Sequence, residues 1–129
     1  MIRRSYTGHE RRRAPRLVTR LPFAITDGTG AFIGHTKNIS LTGAYCTVPQ
    51  FLAPMTKLQV ELELPSRPRP VRVACKGIVV RAEGPMPSRR TQACHVAIVF
   101  SDMSEAAREA IGRYVRRRLR MTPARTGAH

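Results

Sequence analysis

A chain of 129 residues can bury one hydrophobic core and little more, so a single folded domain is expected. Its formal net charge of +15 and isoelectric point of about 11.5 bring an anionic partner into consideration, whether nucleotide, nucleic acid or membrane surface. No apolar run approaches the roughly 20 residues of a membrane span, and Met1-Ile2-Arg3-Arg4 leads into polar sequence instead of an apolar signal region, so the chain reads as cytoplasmic.

The charge is unevenly spread. Residues 1–20 hold seven arginines and one acid, as do residues 108–125, so each end carries +6 and the middle only +3. This is the pattern of a nearly balanced scaffold with basic arms. In the first arm, Arg12-Arg13-Ala14-Pro15-Arg16, proline biases Ala14 toward extended geometry and disfavours a helix. Arg12 and Arg16 are therefore expected as prongs of a pre-strand arm that folds over a ligand, not as a helical i, i+4 pair.

Period-two patterns dominate from Leu21 to Phe100. Leu21, Phe23 and Ile25 alternate before the turn signal Asp27-Gly28-Thr29-Gly30, predicting a hairpin into residues 31–37. A strand over 44–48 follows, ended by Pro49 and Pro54. Leu58, Val60, Leu62 and Leu64 then alternate with Gln59, Glu61 and Glu63, so one face is core and the other wet. Past the loop at 65–70, Val71, Val73 and Cys75 keep the alternation, and Ile78-Val79-Val80 shifts its phase. That shift predicts a bulge or bend at Gly77 of the kind a small barrel uses to turn a corner. Residues 84–92 read as a polar, mobile loop. A sixth strand over 93–100 is apolar on both faces and needs a cover.

The expected cover is a helix starting near Asp102-Met103-Ser104-Glu105, with Asp102 as N-cap and Glu105 completing a capping box. Met103, Ala107, Ile111, Tyr114 or Val115, and Leu119 form one stripe at helical spacing. Arg108, Arg113, Arg116, Arg117, Arg118 and Arg120 lie mostly off it. Because cations in the last turns complement the helix dipole, this cluster reads first as a solvated helix end. Disorder is expected over 121–129.

Cys46, Cys75 and Cys94 lie in apolar runs without C-x-x-C spacing and read as buried, reduced thiols. His9, His35, His95 and His129 are scattered, so no metal site is expected. With no P-loop, nucleophile elbow or paired acidic site, and only eight acids, binding without turnover is the expectation.

Two polar signatures carry the chemistry. The arginines of the arm offer planar forks that suit phosphate oxygens and the O6/N7 edge of guanine. Downstream, Asn38-Ile39-Ser40-Leu41-Thr42-Gly43 places two hydrogen-bonding side chains beside a glycine that allows a tight turn. Together they look like a guanine-nucleotide clamp.

Six short strands, one C-terminal helix and a preceding arginine arm resemble the PilZ domain, the bacterial cyclic di-GMP receptor module. Its two signatures, R-x-x-x-R before the first strand and [D/N]-x-S-x-x-G at a strand turn, are matched in full by Arg12 to Arg16 and Asn38 to Gly43. The resemblance extends from about residue 10 to 119. It implies a six-stranded antiparallel PilZ-type β-barrel with a C-terminal helix: a flexible basic N-terminus at 1–9, then the domain at 10–120 with arm 10–20, barrel 21–100 and helix 102–120. It further implies that Arg12 and Arg16 contact phosphate and guanine, with Arg13 a third candidate, and that Asn38, Ser40 and Gly43 hold guanine and shape the surface beneath it. The ligand is then cyclic di-GMP, with no other cofactor.

Three functions follow in descending order. The first is a cyclic di-GMP receptor whose arm reorders on binding and signals to an unidentified protein effector. The second is a PilZ-fold interaction module without nucleotide binding, which the intact motifs disfavour. The third is a nucleic-acid binder driven by charge, disfavoured because aromatics make up only 5% and no reading motif is present.

Overall fold

Alternating apolar residues give each strand one face that is driven out of water, and rolling the strands into a ring buries all those faces together. The computed structural model describes residues 14–84 and 93–121. Along the chain run β1 (Leu17–Val18), β2 (Pro22–Thr26), β3 (Ala31–Ile39), β4 (Gly43–Val48), β5 (Lys57–Leu64), β6 (Val71–Glu83), β7 (Cys94–Asp102) and the helix α1 (Glu105–Met121). Neighbours pair antiparallel in the order β1-β3-β2-β5-β6-β7-β4, and a β3–β4 pairing joins the ends. Strands β2 to β7 thus form the expected closed six-strand barrel, followed by the single C-terminal helix.

β1 is an addition to that ring. Its two residues pair with β3 beyond the reach of β2, Leu17 opposite Ile39 and Val18 opposite Asn38. Between β1 and β2 the ladder is interrupted, and buried Thr36 bridges the break. Its hydroxyl accepts from the Leu21 N–H at 2.8 Å and donates to the Thr19 carbonyl. No backbone group at this break needs to be left unpaired inside the protein.

The predicted hairpin joins β2 to β3. At its turn, Asp27 Oδ1 accepts from the Thr29 N–H at 2.9 Å, the Thr29 hydroxyl at 2.8 Å and the Gly30 N–H at 3.1 Å. These bonds, the Thr29 N–H first, hold the Asp27 carboxyl below its ordinary value of 3.8. Because the folded value lies below the unfolded one, the contribution of this carboxylate is present above about pH 3.8 and lost as pH falls through the folded value. NMR titration should find Asp27 titrating below 3.8 in the native protein, with Thr29→Ala moving it back upward.

Inside the barrel, Leu58, Val60, Leu62 and Leu64 of β5 are each no more than 2% exposed, as the alternation requires. Burial of such a side chain contributes about 1.5–3 kcal/mol, so this strand anchors the core together with Phe23, Ile25, Ile39 and Val48. Cys46, Cys75 and Cys94 are buried free thiols. Burial pushes Cys46 up to about 12 and, with a smaller contribution from Asp102, Cys75 up to about 11, while Cys94 is raised by burial too.

The pairing of β6 with β7 is irregular at Gly77, as predicted, but the reason differs. Inward alternation runs unbroken through Val73, Cys75, Gly77 and Val79 and breaks only at a second register shift between Val79 and Arg81. At the first shift the extra residue, Ser101, is on β7, opposite the step from Lys76 to Gly77. Gly77 itself faces inward, where an added Cβ would come within 2.7 Å of Ile98 Cγ2.

Two expectations about α1 need correction. Ser104 is the cap, not Asp102: its Oγ accepts the Ala107 N–H at 3.0 Å, and its carbonyl accepts the Arg108 N–H at 3.0 Å. Asp102 belongs to β7, so Glu105 falls at the first helical position and no capping box forms. Nor does the helix cover the outer face of β7. It packs against β6 and β1, and the predicted stripe of Ala107, Ile111, Tyr114 and Val115 merges with the barrel core. On β7, Val99 stays 44% exposed on the outside. The expectations for 1–9 and 122–129, and for 85–92 of the loop, lie outside the described residues.

Candidate functional site

The short strand β1 fixes the end of the arginine arm. Arg16 immediately precedes it, and β1 pairs across Asn38 and Ile39 of β3, so the two sequence signatures meet at one edge. Arg16 Nη1 donates to Asn38 Oδ1 at 2.7 Å across 22 positions of chain. Because the acceptor is a neutral amide, the guanidinium keeps its full charge and four further N–H donors. From Arg16 onward the arm is extended and already seated.

Beneath this pair lies the turn from β3 to β4. Ser40 is fully buried, its N–H donating to the Gly43 carbonyl at 2.8 Å. Its Oγ accepts the Thr42 N–H at 3.2 Å and lies 3.1 Å from the Thr42 hydroxyl, completing a local side-chain turn. Gly43 opens β4 against β7. A Cβ there would stand 2.3 Å from the Ile98 carbonyl oxygen, so the glycine is required by the close approach of two backbones. The Phe100 N–H seals the same corner by donating to the Thr42 carbonyl at 2.9 Å.

Of the six predicted site residues, Arg16 and Asn38 touch at the surface, and Ser40 and Gly43 build the turn that supports Asn38. Arg12 and Arg13 lie outside the described residues. Arg20, four residues past the R-x-x-x-R motif, lines a shallow groove with His35 and Lys37.

An adjoining wall was not foreseen. In its pairing with β4, β3 carries one extra residue, Lys37, between Thr36 and Asn38. Lys37 Nζ sits 5.9 Å from the centroid of the Tyr45 ring, and Tyr45 stands opposite Asn38 in the ladder. The Tyr45 hydroxyl donates to Glu83 Oε1 at 3.2 Å, and its ring lies 5.9 Å from that of His95. Desolvation first, and the Glu83 charge second, raise the tyrosine above its ordinary value of 10.0, so it stays a neutral donor at physiological pH. The outward direction of Tyr45 was readable from inward Ala44 and Cys46 on either side of it. Its meeting with Glu83, 38 residues away, has no local signal.

Among the described residues, no group of three or more His, Cys, Asp or Glu could hold a metal ion, and no helix is long and apolar enough to cross a membrane.

The model of the PilZ domain family matches residues 10–117. The chain belongs to the PilZ domain family. A search of curated protein sequences finds no match. Among solved structures, the Bacillus subtilis inhibitor of motility MotI/DgrA is similar with a TM-score of 0.74 at 18% identity, covering 87% of this chain. This chain spans 53% of that protein. The PilZ domain of Escherichia coli YcgR, solved with c-di-GMP, is similar with a TM-score of 0.62 at 13% identity over 91% of this chain and 98% of that one. At these identities the two structures share the PilZ barrel with this protein.

Proposed function

We propose that this PilZ domain is a cyclic di-GMP receptor, acting by binding and not by turnover, that passes ligand occupancy to a protein partner. The observation that carries the reading is the 2.7 Å bond between Arg16 and Asn38, which unites the two halves of the family's signature. A cyclic dinucleotide presents two phosphates and two purine edges. Arg16 has donors to spare for phosphate or for guanine O6 and N7, and Asn38 retains its amide N–H groups and a second oxygen lone pair for a base edge. Arg12 and Arg13 supply further cations by their place in the motif, and the exposed side of Tyr45 offers a flat surface beside them.

An asparagine at position 38, where the family also accepts aspartate, leaves the charge of Arg16 unneutralised and favours phosphate over tight pairing within the protein. The signal to a partner arises where the arm before β1 adopts a different arrangement with ligand present. The size of that response is bounded by the ligand's preference for one arrangement.

Titration calorimetry of the wild-type chain with cyclic di-GMP and cyclic di-AMP tests this reading. Saturable heat with the guanine compound, and affinity weaker by about tenfold or more for the adenine one, is expected because adenine replaces the O6 acceptor with a donor. Absence of heat with cyclic di-GMP overturns the reading and leaves a PilZ-fold interaction module. Equal affinity for both compounds reduces the site to a phosphate binder.

A further inference from the structure

On another part of the molecule, where the C-terminal half of α1 faces the connection from β5 to β6, a small cleft is lined by Arg113, Arg117 and Arg118. Ala110, Tyr114 and the three arginines recur at steps of three and four residues, so one helix face carries them all. The opposite wall is formed by Pro65 and Val71, both exposed, together with the buried Leu64, and Ser66 is its polar member. Between the walls stands Tyr114, 7% exposed, whose hydroxyl is the buried side-chain polar atom among the described residues that has no hydrogen-bond partner. Arg118 Cζ lies 5.7 Å from the centre of its ring.

A buried hydroxyl without a partner is unfavourable and is retained where something supplies the missing bond. Three arginines lining the same cleft select an anion, and the O–H itself is a donor. The space available, about 80 Å³, sets the size of the guest. At roughly 10–15 Å³ per water-sized occupant it admits one carboxylate or phosphate group, and it falls well short of the about 300 Å³ at which whole-ligand pockets begin. Cyclic dinucleotide therefore does not belong here. The exposed Pro65 and Val71 decide between the anions, since a phosphodiester backbone would leave them facing charged, hydrated groups, whereas an acidic side chain flanked by leucines covers them.

The geometry points to a docking pocket for an acidic, leucine-flanked segment of a partner protein. One Glu or Asp carboxylate accepts from Arg113, Arg117 and the Tyr114 hydroxyl, and its apolar neighbours rest on the exposed Pro65 and Val71. This gives the basic end of α1 a role beyond a solvated helix terminus, and it does not depend on the nucleotide site.

The test is NMR titration of the full chain with the peptide acetyl-Ala-Leu-Glu-Leu-Ala-amide, the same peptide with Gln for Glu, sodium phosphate and a short oligodeoxynucleotide. The Glu peptide is expected to shift the amides of residues 110–118 saturably, with the Gln peptide weaker by about tenfold. Tyr114→Phe should weaken the Glu peptide several-fold while leaving the melting temperature unchanged or higher, because no protein group bonds its hydroxyl. Arg117→Ala should weaken it comparably. Equal binding of the two peptides, stronger binding of phosphate or oligonucleotide than of the Glu peptide, or a Tyr114→Phe protein that melts lower yet binds peptide normally, would each overturn the assignment.

Discussion

Arg16→Ala is expected to weaken cyclic di-GMP binding by roughly 30- to 1,000-fold, the equivalent of about 2–4 kcal/mol for a guanidinium fork making more than one charged hydrogen bond. Arg16→Lys should recover only part of this, since lysine restores the charge but not the planar pair of donors. Neither change should move the melting temperature appreciably, because the bond from Arg16 to Asn38 is exposed and neither partner belongs to the core. Asn38→Ala should lose affinity as well, by a smaller factor, because a neutral amide forms weaker bonds than a guanidinium. Calorimetry and thermal melts on the same samples separate the two effects. Were Arg16→Ala to bind as tightly as wild type, the site would lie elsewhere on the barrel even with the family unchanged.

Gly43→Ala should produce the largest loss of stability of any change in the signature motif. The added methyl would stand 2.3 Å from the Ile98 carbonyl oxygen and 3.2 Å from Val99 Cα, and backbone cannot step aside as a side chain can. Overpacking of this kind costs about 1–3 kcal/mol, and for a domain of this length roughly 4 °C of melting temperature accompanies each kcal/mol. Gly77→Ala makes the comparison: its nearest obstacle at 2.7 Å is Ile98 Cγ2, a side-chain tip that can rotate. Gly43→Ala should therefore melt several degrees below Gly77→Ala. A Gly43→Ala protein that melts like wild type but no longer binds nucleotide would show that the glycine serves the ligand and not the seam.

The strands whose residues alternate by character were legible in the sequence. Leu58 to Leu64 needed only the period of the pleat, and the Asp27 turn needed only its chemistry. The signature motifs could be read because R-x-x-x-R and N-x-S-x-x-G are local, and β1 then brings Arg16 and Asn38 together as their order along the chain implied. The misses arose where a long-range partner decides. Two residues, Leu17 and Val18, cannot display a period, so β1 exists only because β3 offers an edge to it. Asp102 and Ser104 are both good caps in isolation, and β7 claimed Asp102 by pairing it with Lys76. The phase of β6 appeared to change at Gly77 because Ile78 looked inward on hydrophobicity, whereas the extra residue that resets the phase comes after Val79. Tyr45 and Glu83 meet because β4 and β6 both flank β7, a fact of topology alone.

The pairing of β3 with β4 limits how a partner can recognise this molecule. Each strand from β2 to β7 pairs on both sides over part of its length, so a peptide extending the sheet would meet short open stretches, such as 71–75 of β6 on the side away from β5, and no full-length edge. Recognition along the doubly paired lengths comes from side chains on the outer wall, where single substitutions can retune it. The same ring closure shortens the unsatisfied margin through which β-proteins stick to copies of themselves.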